Sequence, residues 1–310
     1  MPKKVYLITG GAGFIGSAIA RRLLQKNNRV IVLDNLLTGF RENVPSGAEF
    51  IYFDVSDKKH YDKLKKIKVD VVLHLAAQSS GEISFDNPVF DLDVNLRGTV
   101  LLIDWCVKNR VKRFVDASSM AVYGDNYRKA IKEDFIATPK SFYGINKLAC
   151  EHYLRLYSAG GLKFTTFRMF NVYGPGQNIK NVRQGMASIY LYYLLNKKPI
   201  LIKGSLERYR DFVYIDDIVD AWIKVIDKKN SYGKIYNLGS GQKTKVSRLV
   251  KELITSCGYK KYPISVKGKT PGDIFGSLSD ITLIKKDIGW KPKVSLKEGI
   301  KKMVEFYKKA

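Results

Sequence analysis

Cysteine and histidine are scarce: the 310-residue chain has three of each. Cys106, Cys150 and Cys257 are odd in number and far apart, which points neither to a disulfide framework nor to a zinc site. His60, His74 and His152 show no ligand spacing, so no metal is expected. No apolar run is long enough to span a bilayer, and Met1-Pro2-Lys3-Lys4 leads directly into a strand without a signal-peptide pattern. A cytoplasmic protein is the expectation. Internal repeats, low-complexity segments and obvious linkers are also missing. Acidic residues are few, 29 against 54 Lys and Arg, for a net charge of +25. Such a balance can serve nucleic acid, a membrane surface or an anionic substrate. The excess, however, is nearly all lysine in ones and twos, as at Lys65-Lys66 and Lys308-Lys309, with no Arg-rich arm. It reads mainly as solvated helix faces with a share in attracting a phosphorylated substrate. Neither a membrane nor nucleic acid is an expected partner.

What is present is a regular alternation. Val5-Tyr6-Leu7-Ile8-Thr9 reads as a buried strand and runs into Gly10-Gly11-Ala12-Gly13-Phe14-Ile15-Gly16. A helical pattern follows over Ser17 to Gln25, then a second strand, Arg29 to Asp34, ending in an acid. Strand, glycine-rich turn, helix, strand and acid form the dinucleotide-binding unit. The glycines let the backbone approach a pyrophosphate, and the helix N-terminus offers free N–H groups to it. Asp34 is placed for the adenosine ribose hydroxyls and repels a 2′-phosphate, which favours NAD over NADP. Further strands are expected at Phe50–Phe53, Val69–Leu75, Arg113–Ala117 and Phe164–Arg168, with helices near Lys58–Ile67, Val89–Lys108 and Ser141–Ser158. The fold class is therefore α/β, a Rossmann-type doubly wound parallel sheet. Ligands sit beyond the carboxyl ends of such strands. Residues 1–170 read as the cofactor domain, with some later segments returning to it, and residues 171–310 mainly as a smaller substrate domain. In the latter, Ser188–Asn196 reads as helix, Pro199–Ile202 as strand, and an acid among Ile215-Asp216-Asp217 as a helix cap.

One short stretch carries the chemistry. Tyr143 and Lys147 stand four apart on a helix and point into the same space. A free phenol is a poor base at neutral pH, and a nearby cation favours the phenolate. Such a pair is a way to build a general base that takes a proton from a hydroxyl; taken alone, the short Tyr-x-x-x-Lys spacing also fits two residues that merely decorate a helix.

In order along the chain stand Thr9 to Ser17, Leu33-Asp34-Asn35, His74-Leu75-Ala76-Ala77-Gln78, Asp93-Val94-Asn95, Ser118-Ser119-Met120-Ala121-Val122-Tyr123-Gly124, Tyr143 to Lys147, Arg168 to Pro175 and Arg210-Asp211-Phe212-Val213-Tyr214. Together they resemble the extended short-chain dehydrogenase/reductases that act on nucleotide-sugars, nearest the UDP-glucose (UDP-galactose) 4-epimerases. The resemblance covers nearly the whole chain. It implies Tyr143 as acid/base, Lys147 on the nicotinamide ribose, and Ser119 beside the sugar 4-hydroxyl. It places NAD against Gly10, Gly13, Phe14, Ile15, Gly16, Asp34, Asn35, Asp54, Val55, Leu75, Ala76, Ala77, Gln78, Asn95, Ser118 and Phe170. Asn171 and Arg210 fall on the nucleotide-sugar diphosphate, Asp273 on the nucleotide ribose, and Ser277 beside the sugar C2 substituent. A UDP-sugar substrate and a homodimer through the helices carrying Asn95 and Tyr143 are implied as well.

The chain departs from the family in three places. Related 4,6-dehydratases carry an acidic pair after the small hydroxyl residue; here Met120 and Ala121 stand there and neither moves a proton. The segment Val182-Arg183-Gln184-Gly185 lacks the proline often found before the substrate-domain helix. Thr270, beside Lys269, replaces an arginine usually laid on the diphosphate, and a lysine lacks the planar fork. Because Ser277 is small, an N-acetyl group at C2 is expected to fit. The leading expectation is an NAD-dependent 4-epimerase acting on UDP-glucose/UDP-galactose and also on the N-acetylated pair. The alternatives are a dehydrogenase or reductase of the same family and, remotely, a non-catalytic NAD-fold RNA-binding protein.

Overall fold

The structure is a computed structural model and describes residues 4–125, 129–268 and 271–309. Met1 to Lys3, Lys269 and Thr270 lie outside the described residues.

Six strands, β1 (Val5–Thr9), β2 (Arg29–Asp34), β3 (Glu49–Tyr52), β4 (Val71–His74), β5 (Arg113–Ser119) and β6 (Lys163–Met169), pair in parallel in the order β3-β2-β1-β4-β5-β6. The central strands β1, β2 and β4 are mainly apolar on both faces because helices cover both faces; Leu7, Ile8, Ile31, Val32, Val72 and Leu73 are fully buried. The helix α1 (Phe14–Leu24) joins β1 to β2 and begins earlier than its periodicity predicts, at the last glycines of the turn.

The single helix expected over Val89–Lys108 is broken. After α2 (Gly81–Asp86) come α3 (Pro88–Asp91), a wide π turn over Leu92–Arg97, and α4 (Gly98–Lys108). The carbonyl of Asn95 in that turn accepts from Thr99 Oγ1 at 2.5 Å and from Cys150 Sγ at 3.2 Å, and π turns of this kind recur at functional sites. The expected helix near Lys58–Ile67 is a 3₁₀ turn over Lys58–Leu64, started by Asp57 accepting from the Lys59 N–H. The helix α5 (Phe142–Ala159) crosses from β5 to β6, its first turn capped by Ser141, whose Oγ accepts from the Gly144 N–H at 3.1 Å.

Beyond residue 170 the elements are shorter. In chain order they are β7 (Asn171–Tyr173), α6 (Met186–Leu195), β8 (Ile200–Ile202), β9 (Tyr209–Tyr214), α7 (Ile215–Val225), β10 (Lys234–Leu238), β11 (Lys243–Lys245), α8 (Val246–Ser256), β12 (Ile264–Val266), α9 (Thr282–Ile288) and α10 (Leu296–Lys309). β10 returns to the main sheet as a seventh parallel strand beside β6. β11, β9 and β7 form a second sheet, and β8 pairs with β12. α7 has no acidic cap: Tyr214 holds the capping position without a side-chain bond. The Asp217 carboxylate instead accepts from the N–H groups of Lys293 and Val294, at 2.9 and 3.1 Å, and so ties the chain before α10 to α7. Trp222 of α7 packs on Phe167 of β6 with ring centroids 5.5 Å apart, which fixes that helix to the main sheet. Among the described residues no helix is long and apolar enough to cross a membrane.

Candidate active site

A cleft of about 370 Å³ lies along the carboxyl ends of β1, β2 and β4 and reaches Ala117 of β5 and Met169 of β6. Gly10, Gly13, Phe14, Ile15, Gly16, Asp34, Asn35, Asp54, Val55, Leu75, Ala76, Ala77, Gln78, Tyr143 and Lys147 all line it. At Gly10 the backbone has φ +68° and passes so close to β4 that an added Cβ would stand 2.6 Å from the Ala76 nitrogen. Only glycine meets both conditions. The N-terminus of α1 follows at Phe14, and Gly13 supplies no side-chain cap, so its first N–H groups face the cleft side without a side-chain acceptor.

Asp34 ends β2 almost buried. Its two carboxylate oxygens accept from the N–H groups of Ala12 at 3.0 Å and Leu36 at 2.8 Å, while burial raises its pKa. Asn35 donates to Asp54 at 3.0 Å, and Ser56 donates to the other Asp54 oxygen. Burial pushes Asp54 up, but these bonds outweigh it and leave its pKa below the ordinary value.

Tyr143 and Lys147 face one another at the middle of the cleft. The Lys147 ammonium lies 5.9 Å from the Tyr143 ring centroid and is buried. Burial works against that charge; Tyr143, then Asp116, Cys150 and Asp91, outweigh burial and raise the lysine pKa. Ser119 begins the 3₁₀ turn Met120–Tyr123, its Oγ accepting from the Ala121 N–H at 3.2 Å. That turn meets the first turn of α5 so closely that a Cβ on Gly144 would lie 2.7 Å from the Ala121 carbonyl oxygen. The absence of a side chain at Gly144 therefore lets the turn that follows Ser119 pack against the first turn of α5, which carries Tyr143; Ser119 itself does not line the cleft.

Several predicted residues stand one layer behind the cleft. Asn95 is fully buried and donates to the Gln78 carbonyl and to Asp91 Oδ1, both at 2.9 Å. Asp91 also accepts from Gln78 at 2.6 Å and from Asn146 at 2.7 Å, so one carboxylate fixes Gln78 and the residue preceding Lys147. Ser118 is buried, and its hydroxyl donates to Glu151 at 2.6 Å. Glu151 is held by Arg168 in a fully buried ion pair at 2.7 Å. Phe170 packs with Val122, Tyr123 and Ile131.

Sequence reading passed over Asp91, Asn146, Asp116, Glu151 and Thr99; the position of Asn146 beside Lys147 was the available signal. It also missed Gln177, Asn178, Asn181 and Gln184, which line the far wall of the cleft. Gln184 donates to Ser79 Oγ at 2.6 Å across the cleft.

The predicted substrate residues form a second group around β9 and β7. Arg210 donates to Asp273 at 2.7 Å rather than to Asp211 or Glu207. Asp211 is taken by Ser240, Gly241 and Ser279, and Glu207 pairs with Lys245. Asn171 Oδ1 and Ser277 Oγ are buried and have no hydrogen-bond partner among the described residues. Buried polar atoms without partners are uncommon and point to a missing ligand or water.

The sequence over residues 6–239 matches the model of the NAD dependent epimerase/dehydratase family. The chain belongs to this family. It is 37% identical to the UDP-glucose 4-epimerase of Thermotoga maritima, solved with UDP-glucose, with a TM-score of 0.94 over 98% of this chain and 99% of that one. The Thermus thermophilus UDP-glucose 4-epimerase, solved with NAD, is 34% identical, with a TM-score of 0.92 over 99% of each chain. A UDP-N-acetylglucosamine 4-epimerase from Methanobrevibacter ruminantium, in complex with UDP-N-acetylmuramic acid, is 30% identical, with a TM-score of 0.92 over 100% of this chain and 99% of that one.

As a member of this family the protein is an NAD-dependent enzyme, and its own residues fit that cofactor. The glycine turn leaves backbone N–H groups and no side chains where a pyrophosphate needs approach. The acid at the end of β2 suits a ribose diol and opposes a 2′-phosphate. The buried ammonium of Lys147 lies deeper in the same cleft.

Proposed function

We propose that the protein interconverts the C4 epimers of UDP-sugars, UDP-glucose with UDP-galactose and the N-acetylated pair as well. The observation that carries this reading is the buried Lys147 beside Tyr143, in the same cleft as the glycine turn and Asp34. Residues 1–170 with β10 serve as the cofactor unit, and residues 171–310 mainly as the nucleotide-sugar unit. NAD, when bound, supplies a reversible hydride acceptor at the sugar C4. Tyr143 accepts the proton of the C4 hydroxyl and later returns it to the same oxygen. Lys147 keeps a positive charge beside the Tyr143 ring. Ser119 orients the hydroxyl, and Asn171 and Arg210 hold the sugar by its diphosphate so that the ring can present either face. Met120 and Ala121 follow Ser119 where an acid would be required to expel a C6 hydroxyl, which favours epimerisation over dehydration. Ser277, small, buried and with no hydrogen-bond partner for its hydroxyl among the described residues, leaves room at C2 for an acetamido group.

The outer face of the helices supports a homodimer. Val89 and Leu92 before α4, Val107 at its end, and Phe142, Ile145, Tyr153 and Leu156 along α5 are exposed large apolar side chains. Apolar side chains left exposed on neighbouring helices in this way fit an interface.

A panel of UDP-glucose, UDP-galactose and their N-acetyl counterparts, read at C4 by NMR, tests the reading. All four are expected to equilibrate without added cofactor. Tyr143→Phe should lower turnover by about 10²-fold or more, in line with the loss of a general base, with bound NAD retained. Ser277→Tyr should suppress the acetamido pair selectively. Accumulation of a released keto sugar would instead make the protein a dehydrogenase, and an unchanged profile in Ser277→Tyr would remove the C2 role of that residue.

A further inference from the structure

β9 and the residue before it read Arg208-Tyr209-Arg210-Asp211. Alternate residues of a strand share a face, so Arg208 and Arg210 lie together while Tyr209 turns away, with Lys243 4.1 Å over its ring. Both arginines are nearly fully buried, at 7% and 4% exposed. Arginine is rarely buried unless paired. The pairing here is uneven. Arg210 donates to Asp273 Oδ1 at 2.7 Å and to the carbonyls of Ile274, Tyr209 and Phe275. Arg208 donates to Asp273 Oδ2 and to the carbonyls of Lys203 and Ser205. A single carboxylate thus stands between two guanidiniums.

Among the described residues no other acid pairs with either arginine. Asp211 is taken up by two serines and a glycine N–H, and Glu207 by Lys245. Asp125 reaches Arg210 only at longer range; it sits 3.8 Å from Lys140 and accepts from the Phe275 N–H. Burial, then Arg208, press Arg210 down to about 10, and burial lowers Arg208. Tyr190 of α6 faces both arginines and is itself held neutral by burial. The cluster carries one buried positive charge too many, and Asp273, with 22% of its side chain exposed, is its member nearest to solvent.

We propose that Arg208 is, with Arg210, the second guanidinium of the seat for the diphosphate of the nucleotide-sugar, and that Asp273 keeps their place until that diphosphate arrives. This rests on the nucleotide-sugar reading above. A diphosphate brings two negative charges where Asp273 brings one, and two guanidinium forks match its oxygens in a way that lysine ammoniums do not. Asp273, released from the arginines, is then free to accept from the nucleotide ribose.

The test is calorimetric, on the NAD-loaded protein, with UDP, uridine and inorganic pyrophosphate as probes, for wild type, Arg208→Lys and Arg208→Gln. Melting curves report folding in parallel. Loss of a charge-assisted bond predicts that Arg208→Gln weakens UDP and pyrophosphate about 10- to 100-fold, leaves uridine nearly unchanged, and raises KM more than it lowers kcat. Arg208→Lys should recover part of the loss. Equal weakening of UDP and uridine, or unchanged UDP binding with a lowered melting temperature, would reduce Arg208 to a tie between β9 and residues 271–277 and overturn the proposal. If wild type ignores UDP yet binds pyrophosphate through Arg208, the proposal stands and the uridine reading falls.

Discussion

Burial presses His74 down to about 3, with Lys147 adding to the shift, so the imidazole is neutral. The Thr9 hydroxyl accepts from the N–H groups of Leu75 and Ala76, both at 3.2 Å, and stands 2.7 Å from His74 Nδ1. His74 Nε2 lies 2.8 Å from Thr99 Oγ1, which donates to the Asn95 carbonyl. These bonds assign the proton to Nε2 and lock the end of β4 to the π turn. Asp116 lies beside His74 in the register of β5 with β4 and is fully buried. It faces Lys147 and Glu151 of α5; burial, only partly opposed by Lys147, raises its pKa from 3.8 to about 6. The folded protein therefore holds this proton more tightly than the unfolded chain does. The associated stability is full below pH 3.8 and is lost as pH rises through about 6. Asp116→Asn is expected to raise the melting temperature by several degrees near pH 8, from at most roughly 3 kcal/mol, and to add nothing near pH 4. No gain near pH 8 would contradict the assigned cause. Tyr143 and Lys147 were legible in the sequence because four-residue spacing fixes their common face. Asp116 was not, because its neighbours come from a different strand and a different helix.

At the scale of elements, α5 does two things with its two sides. Gly144, Asn146, Lys147, Cys150, Glu151 and Leu154 are buried inward, while Phe142, Ile145, Tyr153 and Leu156 are exposed. The inner side carries the proton chemistry and the Glu151–Arg168 pair, and the outer side is the proposed dimer surface. Leu156→Lys, at 75% exposed in the single chain, is expected to convert a dimer to a monomer in light scattering while leaving the monomer folded. A wild-type chain that is already monomeric would remove the dimer proposal. The helix itself was readable from its periodicity. The π turn was not: the apolar pattern of Val89–Lys108 suits one continuous helix, and the Cys150 bond to the Asn95 carbonyl appears only once α5 packs on that turn.

Across the whole molecule, the order β3-β2-β1-β4-β5-β6 brings the carboxyl ends of strands far apart in sequence to one crevice. The alternation of apolar runs with helical patterns made that sheet legible. The short strands beyond residue 170 were less so: β7, β11 and β12 have three residues each, too few for a period to declare itself. Pairing of Arg208 and Arg210 with Asp273, some 65 residues away, likewise depends on tertiary contact alone. The measurement that tests the central claim most directly uses UDP-glucose deuterated at C4, incubated with the protein and no added cofactor. The account predicts UDP-galactose that keeps its deuterium at C4, with no reduced cofactor in solution. Deuterium lost from the product, or reduced cofactor released with a keto sugar, would contradict it.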